Sequence, residues 1–272
     1  MLRLQKQHQL IKNGDQILEL GTGWLHWEAF TVRLFYDVEA VVFDVWDNRQ
    51  LGGLKNYLRQ LRSLLHGFDL SPTEIGRAES IINNVLEVDS FNELYRLLDF
   101  KYVVESSGSL SQFADKSFQL VVSGGVLEHV NRDALPELIA AMHRVLKPGG
   151  WAIHSIDTAD HLEHYDRKVS PKLYLTFSEK RWRRLFENEV QYINRVQRGE
   201  WLALFREKGF ELVEEEARRI DISGLKLADR YANIERSDLE CTVLKLVLRK
   251  PARTARSHAP PTAPPRRSQA SF

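Results

Sequence analysis

The stretch Gln16-Ile-Leu-Glu-Leu-Gly-Thr-Gly-Trp24 constrains the fold more than any other part of the chain. A short apolar run passes through an acid, Glu19, and stops in Gly21-Thr22-Gly23. An extended segment ending in Gly-x-Gly suits a first parallel strand whose backbone turns sharply and admits a ligand closely, because glycine has no Cβ to clash. Taken alone, the turn is compatible with a nicotinamide dinucleotide, a flavin, S-adenosylmethionine or a tight turn without ligand, so its neighbours decide.

Those neighbours follow in a regular order. Residues Leu2 to Ile11 have the spacing of a short amphipathic helix, and Asn13-Gly14-Asp15 is a turn into the first strand. After the glycines, Trp27 to Tyr36 reads as a helix, so strand, turn and helix stand in the order of a nucleotide-type site. Glu39 to Asp44 is a run of β-formers ending in an acid 21 positions after Gly23. At that spacing an aspartate reaches both hydroxyls of a ribose lying across the strand ends. An aspartate after a strand also serves as a helix cap, and Asp47 is close enough to take the ribose role instead.

From about residue 51 to 100 the pattern is helical, with Ser71-Pro-Thr-Glu74 as a helix start, and this insertion either covers a site or adds core. Lys101 to Glu105 reads as strand three, followed by the polar loop Ser106-Ser-Gly-Ser109. Phe118 to Ser123 reads as strand four. A helix striped by Leu135, Leu138, Ile139, Met142, Val145 and Leu146 ends at Lys147-Pro-Gly-Gly150, and Trp151 to Ile156 makes strand five. Phe210 to Val213 and Thr242 to Leu248 complete seven strands, with a helix expected between them over Ile222 to Arg236. Strands alternating with helices predict a doubly wound α/β fold with a mostly parallel seven-stranded sheet and ligands at the carboxyl ends of its strands. Glu19, Asp44, the serine loop, Ser123 and Asp157 fall at such ends.

The chain has 272 residues, 43% of them apolar and 28% charged, which suits one domain over residues 1–250 with one large core. Residues 251–272 hold four arginines, no acids and five prolines, a composition too poor in apolar surface to fold, so this tail is expected to be disordered. A net charge of +1 gives no global argument for nucleic acid as partner. Cys241 is the sole cysteine, so no intrachain disulfide forms, and a reducing, cytoplasmic compartment is expected. No stretch has the apolar length of a transmembrane segment.

Five pieces in this order carry a resemblance: Glu19-Leu-Gly-Thr-Gly23, Asp44, Asp115-Lys-Ser-Phe118 with Leu-Val-Val-Ser123, Val126-Leu-Glu-His-Val130 and Arg144-Val-Leu-Lys-Pro-Gly-Gly150. Together they resemble the class I S-adenosylmethionine-dependent methyltransferases, and most the group related to ubiquinone-biosynthesis methyltransferases. The resemblance implies S-adenosyl-L-methionine as cofactor. It places Gly21 and Gly23 beneath its methionyl part with Glu19 near the amino group, Asp44 on the ribose, Ser107 and Gly108 at the adenine, and the backbone of Ser123 and Gly124 along the methionine side. Trp24 and Trp27 flank His26 where a dinucleotide fingerprint has further glycines, which counts against NAD. Gln119 and Ser107 both replace aspartates common in the family.

Methyl transfer is an in-line displacement, so the protein mainly aligns the acceptor and excludes water, and a hydroxyl acceptor gains from a general base. Five of nine histidines lie between His129 and His164. His129 after strand four and His161 after strand five are the candidate bases, against the plainer reading of each as a hydrogen-bonded or solvated imidazole. The acids and histidines from Asp157 to Asp166 lack a metal signature, and no metal is expected. Asp157, Tyr192 and Arg195 are candidate substrate contacts, although Tyr192 and Arg195 suit structural pairing equally. The expected acceptor is a small polar molecule, a hydroxyl of a sugar or secondary metabolite. Two other readings stay open: a non-catalytic S-adenosylmethionine-binding module, and a partner-dependent RNA or protein methyltransferase recruited through the basic tail. The oligomeric state is left undetermined by the sequence.

Overall fold

A computed structural model describes residues 2–160, 166, 168–186 and 192–252. Seven strands form one sheet: β1 Gln16–Leu20, β2 Glu39–Asp44, β3 Phe100–Val104, β4 Phe118–Gly124, β5 Leu146–Asp157, β6 Glu211–Arg219 and β7 Cys241–Arg249. Their order is β3-β2-β1-β4-β5-β7-β6. The first five run parallel, and β7 lies antiparallel between β5 and β6.

The helices are α1 Leu2–His8, α2 Trp27–Arg33, α3 Leu51–Leu64, α4 Pro72–Glu87, α5 Phe91–Leu98, α6 Leu135–Val145, α7 Glu179–Leu185, α8 Arg198–Glu207 and α9 Arg236–Leu239. The strands sort them onto two faces, because successive side chains point to opposite sides. Ile17, Val42, Leu120 and Val122 pack with Phe30 of α2, Leu58 of α3, Ile82 of α4 and Leu94 of α5. Leu18, Phe43, Val121 and Ala152 pack with Met142 of α6 and Trp201 and Phe205 of α8. Each such large apolar side chain contributes roughly 1.5–3 kcal/mol by leaving water. The insertion over α3–α5 therefore serves the core. The start of α4 follows the sequence: Ser71 accepts from the Glu74 N–H, and the Glu74 carboxylate accepts from the Ser71 N–H.

Three elements depart from the sequence reading. β5 is twelve residues long and not six, because Leu146 leaves the helix to pair with Phe118 and a register shift carries Lys147 to Gly150 into the strand. β6 is nine residues long and not four, because the charged residues Glu214, Glu216 and Arg218 mask the extended pattern on an edge strand. The helix expected over Ile222 to Arg236 does not form. The Asp221 carboxylate accepts from the Ser223 N–H and hydroxyl, and such local side-chain bonds compete with helix. Ile222, Tyr231 and Leu239 instead join Tyr174, Leu175, Trp182 and Ile193 in a third cluster. Among the described residues no helix is long and apolar enough to cross a membrane. The tail from residue 253 on lies outside the described residues.

Candidate functional site

β1 leaves the sheet through Gly21 at φ +62° and Gly23 at φ +54°, a region that favours glycine. A Cβ on Gly21 would stand 2.4 Å from Val126 Cγ2, so the turn is closed against the chain leaving β4. The Gly23 N–H donates to Asp44 Oδ2 at 2.8 Å, and the Val45 N–H donates to Oδ1 at 2.8 Å. Asp44 thus ties the end of β2 to the glycine turn, and each of its oxygens keeps a second lone pair. Glu19 is buried beneath and accepts the N–H groups of Glu28 at 3.3 Å and Ala29 at 2.9 Å, so it holds the start of α2. Burial pushes its carboxyl up to about 8.

His26, at φ +48°, opens α2 where a dinucleotide site would have glycine. Its Nδ1 pairs with the Thr22 hydroxyl at 2.8 Å and its Nε2 with the Tyr95 hydroxyl at 3.0 Å. Burial, with Arg49 nearby, holds the imidazole down to about 4, so it is a neutral tie between the turn and α5.

Glu28 was missed in the sequence. Its Oε1 lies 2.9 Å from where a Cβ on Gly124 would stand, so the Glu28 carboxylate lies against the end of β4. Burial raises its carboxyl. β1 and β4 flank the point where the strand order reverses, which is where open α/β sheets bind ligands. An acid in the first turn after Gly-x-Gly was the available signal, and it reads equally as helix-terminus electrostatics. Ser123 is buried with its hydroxyl 2.8 Å from His154 Nδ1. The Glu105 carboxylate accepts from the Ser107 N–H and hydroxyl, and the Gly108 N–H donates to the Glu105 carbonyl. That loop lies against exposed Val45, with Trp46, also exposed, next in the chain.

After β4 the chain makes the turn Leu127–His129. The Asn194 side-chain amide donates to the Leu127 carbonyl at 2.7 Å and the Val130 carbonyl at 3.1 Å, while its N–H donates to the Glu128 carbonyl. Residues Tyr192 to Arg195 are thereby strapped across the turn. His129 Nδ1 donates to the Tyr192 carbonyl at 2.9 Å, and the Tyr192 hydroxyl accepts the Arg132 N–H at 3.2 Å. The Arg195 guanidinium is buried, bonded through Nη2 to both Glu179 oxygens and stacked over Trp182. The Asp157 carboxylate accepts the Ala159 N–H at 2.8 Å. His161 lies outside the described residues.

Two buried ionisable groups beside Asp157 escaped the sequence reading. Lys172 is fully buried and donates from Nζ to the Thr158 carbonyl at 2.7 Å and the Tyr174 hydroxyl at 2.9 Å; burial lowers it to about 7. Glu128 accepts the Asp157 N–H at 3.2 Å through Oε1, and its Oε2 has no hydrogen-bond partner. Burial raises the Glu128 carboxyl to about 8, with Asp157 adding to the rise. From its ordinary value of 4.5 up to 8 the folded state keeps a proton that the unfolded chain has lost. Stability from this group is therefore lost as pH rises through that window. Glu128→Gln, which keeps the acceptor and never charges, is expected to gain on the wild type by on the order of 2–4 kcal/mol between pH 5 and pH 8. Urea unfolding of both proteins at the two pH values checks this, and an unchanged difference would show the group is not titrating there.

The profile of a family described as a methyltransferase domain matches residues 2–215. No curated protein matches in a sequence search. Solved structures of similar fold include phosphoethanolamine N-methyltransferase 2 of Haemonchus contortus with S-adenosyl-L-methionine, at TM-score 0.50 and 15% identity over 92% of this chain and 52% of that one. This chain thus spans about half the length of that enzyme. A chain described as a sarcosine dimethylglycine methyltransferase from Galdieria sulphuraria matches at TM-score 0.50 and 15% identity, over 93% of this chain and 84% of that one. A Haloferax volcanii methyltransferase complex with the Trm112 activator is matched at TM-score 0.48 and 16% identity, over 92% and 93%.

Proposed function

The chain belongs to the class I S-adenosylmethionine-dependent methyltransferases, and from that premise we propose that it methylates a hydroxyl of a small polar acceptor, a sugar or secondary metabolite, in the cytoplasm. The left-handed glycines, the open space at Gly23 and the acids Asp44 and Glu28 suit a cationic adenosyl ligand. When bound, S-adenosyl-L-methionine supplies an electrophilic methyl group. Asp44 would hold its ribose, the loop at Ser107 and Gly108 its adenine beside Val45, and Glu28 with Gly21, Gly23 and the Ser123 and Gly124 backbone its methionyl end.

One observation supports the hydroxyl acceptor. A carbonyl oxygen only accepts, so the 2.9 Å bond to Tyr192 fixes the His129 proton on Nδ1 and makes Nε2 the basic nitrogen. That is the tautomer a general base needs, at the exit of β4. His129 would take the hydroxyl proton on Nε2 and pass it to solvent from its exposed position. Asp157 and Tyr192 would orient the acceptor. The test is product formation with a panel of hydroxyl and amine acceptors; methylation of amines alone would sink the reading, and cofactor binding without any turnover would favour a non-catalytic module.

Asp44→Ala is expected to weaken S-adenosyl-L-methionine binding about 10- to 100-fold, the worth of one or two charge-assisted hydrogen bonds. Calorimetric titration of cofactor and S-adenosylhomocysteine into both proteins measures it. Equal affinities would remove Asp44 from the ribose and turn attention to Asp47.

A further inference from the structure

Beyond His129 the strap borders an open cleft of about 570 Å³, large enough for a small metabolite. Tyr192 joins the two places, since its carbonyl fixes His129 and its side chain lines the cleft with Arg132, Glu179, Arg183, Arg195 and Arg230. Three of these arginines converge on one carboxylate. Glu179 accepts from Arg195 at 2.9 and 3.0 Å, from Arg183 Nε at 3.0 Å, and from Arg230 Nη1. The remaining wall carboxylates, Asp133 and Asp229, are exposed to solvent, and Arg132 is paired with Glu200.

The cluster is unbalanced in charge and in hydrogen bonds. Among the described residues the wall carries four arginines and three carboxylates, which leaves one positive charge over. Arg195 is the deepest, its side chain only 5% exposed, and its Nε and Nη1 are buried without a hydrogen-bond partner. Arg183 and Arg230 are more exposed, at 69% and 34%, so an incoming anion could compete with Glu179 for them. Guanidinium forks match tetrahedral oxyanions in geometry and charge.

We propose that this cleft binds a phosphate monoester, and that the acceptor carries one at the end remote from the methylated hydroxyl. The inference rests on the small-hydroxyl reading above and narrows it to phosphorylated sugars or polyols. The test uses the full chain saturated with S-adenosyl-L-methionine and titrates inorganic phosphate and, separately, acetate at pH 8, where phosphate is a dianion. Phosphate is expected to bind in the millimolar range and to do so at least 10-fold more tightly than acetate. The double variant Arg183→Gln/Arg230→Gln, both positions on the surface, is expected to lose at least 10-fold in phosphate affinity with cofactor affinity and melting temperature unchanged. In the acceptor panel, phosphorylated compounds are expected to outperform their unphosphorylated counterparts. Acetate binding as tightly as phosphate, phosphate binding that ignores the double variant, or no phosphate binding by a protein that holds cofactor would each overturn the assignment. Failure to hold S-adenosyl-L-methionine would count against the methyltransferase reading itself, on a separate readout.

Discussion

Gly21→Ala is expected to destabilise the fold by about 2–5 kcal/mol and to remove measurable cofactor binding. Two costs add. An alanine at φ +62° sits in a left-handed conformation that costs a non-glycine residue on the order of 1–3 kcal/mol. Its Cβ would also stand 2.4 Å from one Val126 methyl and 2.7 Å from the other, and a β-branched side chain has little freedom to turn aside. Overpacking of this kind costs typically 1–3 kcal/mol more. Either Val126 moves, shifting the turn that carries His129, or the glycine loop moves and draws the Gly23 N–H off Asp44. Both outcomes spoil the crevice between β1 and β4. The double variant Gly21→Ala/Val126→Ala separates the two costs, since it relieves the contact and leaves the backbone strain. Chemical denaturation and cofactor titration of the single and double variants make the measurement; a single variant as stable as wild type, with intact binding, would mean that the loop is far softer than its packing implies.

The same residues show what a sequence can carry. The glycine turn, Asp44 and the alternation of strands with helices were legible because each is a local pattern: backbone conformation, β propensity and periodicity act over a few residues. Asp44 sits at the tip of β2 beside the turn, as its spacing implied, although its visible partners are the backbone N–H groups of Gly23 and Val45. Glu28, Glu128 and Lys172 were not legible because each matters through groups distant in sequence. Glu28 lies against Gly124, Glu128 meets Asp157 across two strands, and Lys172 is buried against Thr158 and Tyr174. The missing helix after Ile222 is the converse case: helical spacing was present, but a local Asp221 turn and the third apolar cluster outweighed it.

His129→Asn is expected to lower kcat by about 10²- to 10⁴-fold on a hydroxyl acceptor while leaving the S-adenosyl-L-methionine affinity within twofold. Asparagine is the informative replacement because its side-chain amide can still donate to the Tyr192 carbonyl. The strap over Leu127–His129, held also by Asn194, then stays in place, and what is lost is the basic Nε2. A merely structural histidine would behave in the opposite way, with His129→Ala lowering the melting temperature and His129→Asn restoring both stability and rate. Added imidazole is expected to recover part of the rate in His129→Ala, since His129 is exposed and a small base can approach. With an amine acceptor the substitution would matter little, because an amine need only lose its proton beforehand. The ratio of the His129→Asn effect on hydroxyl and amine acceptors therefore reports the methylated atom directly, and a turnover within a few-fold of wild type on every hydroxyl tested would remove His129 from the chemistry.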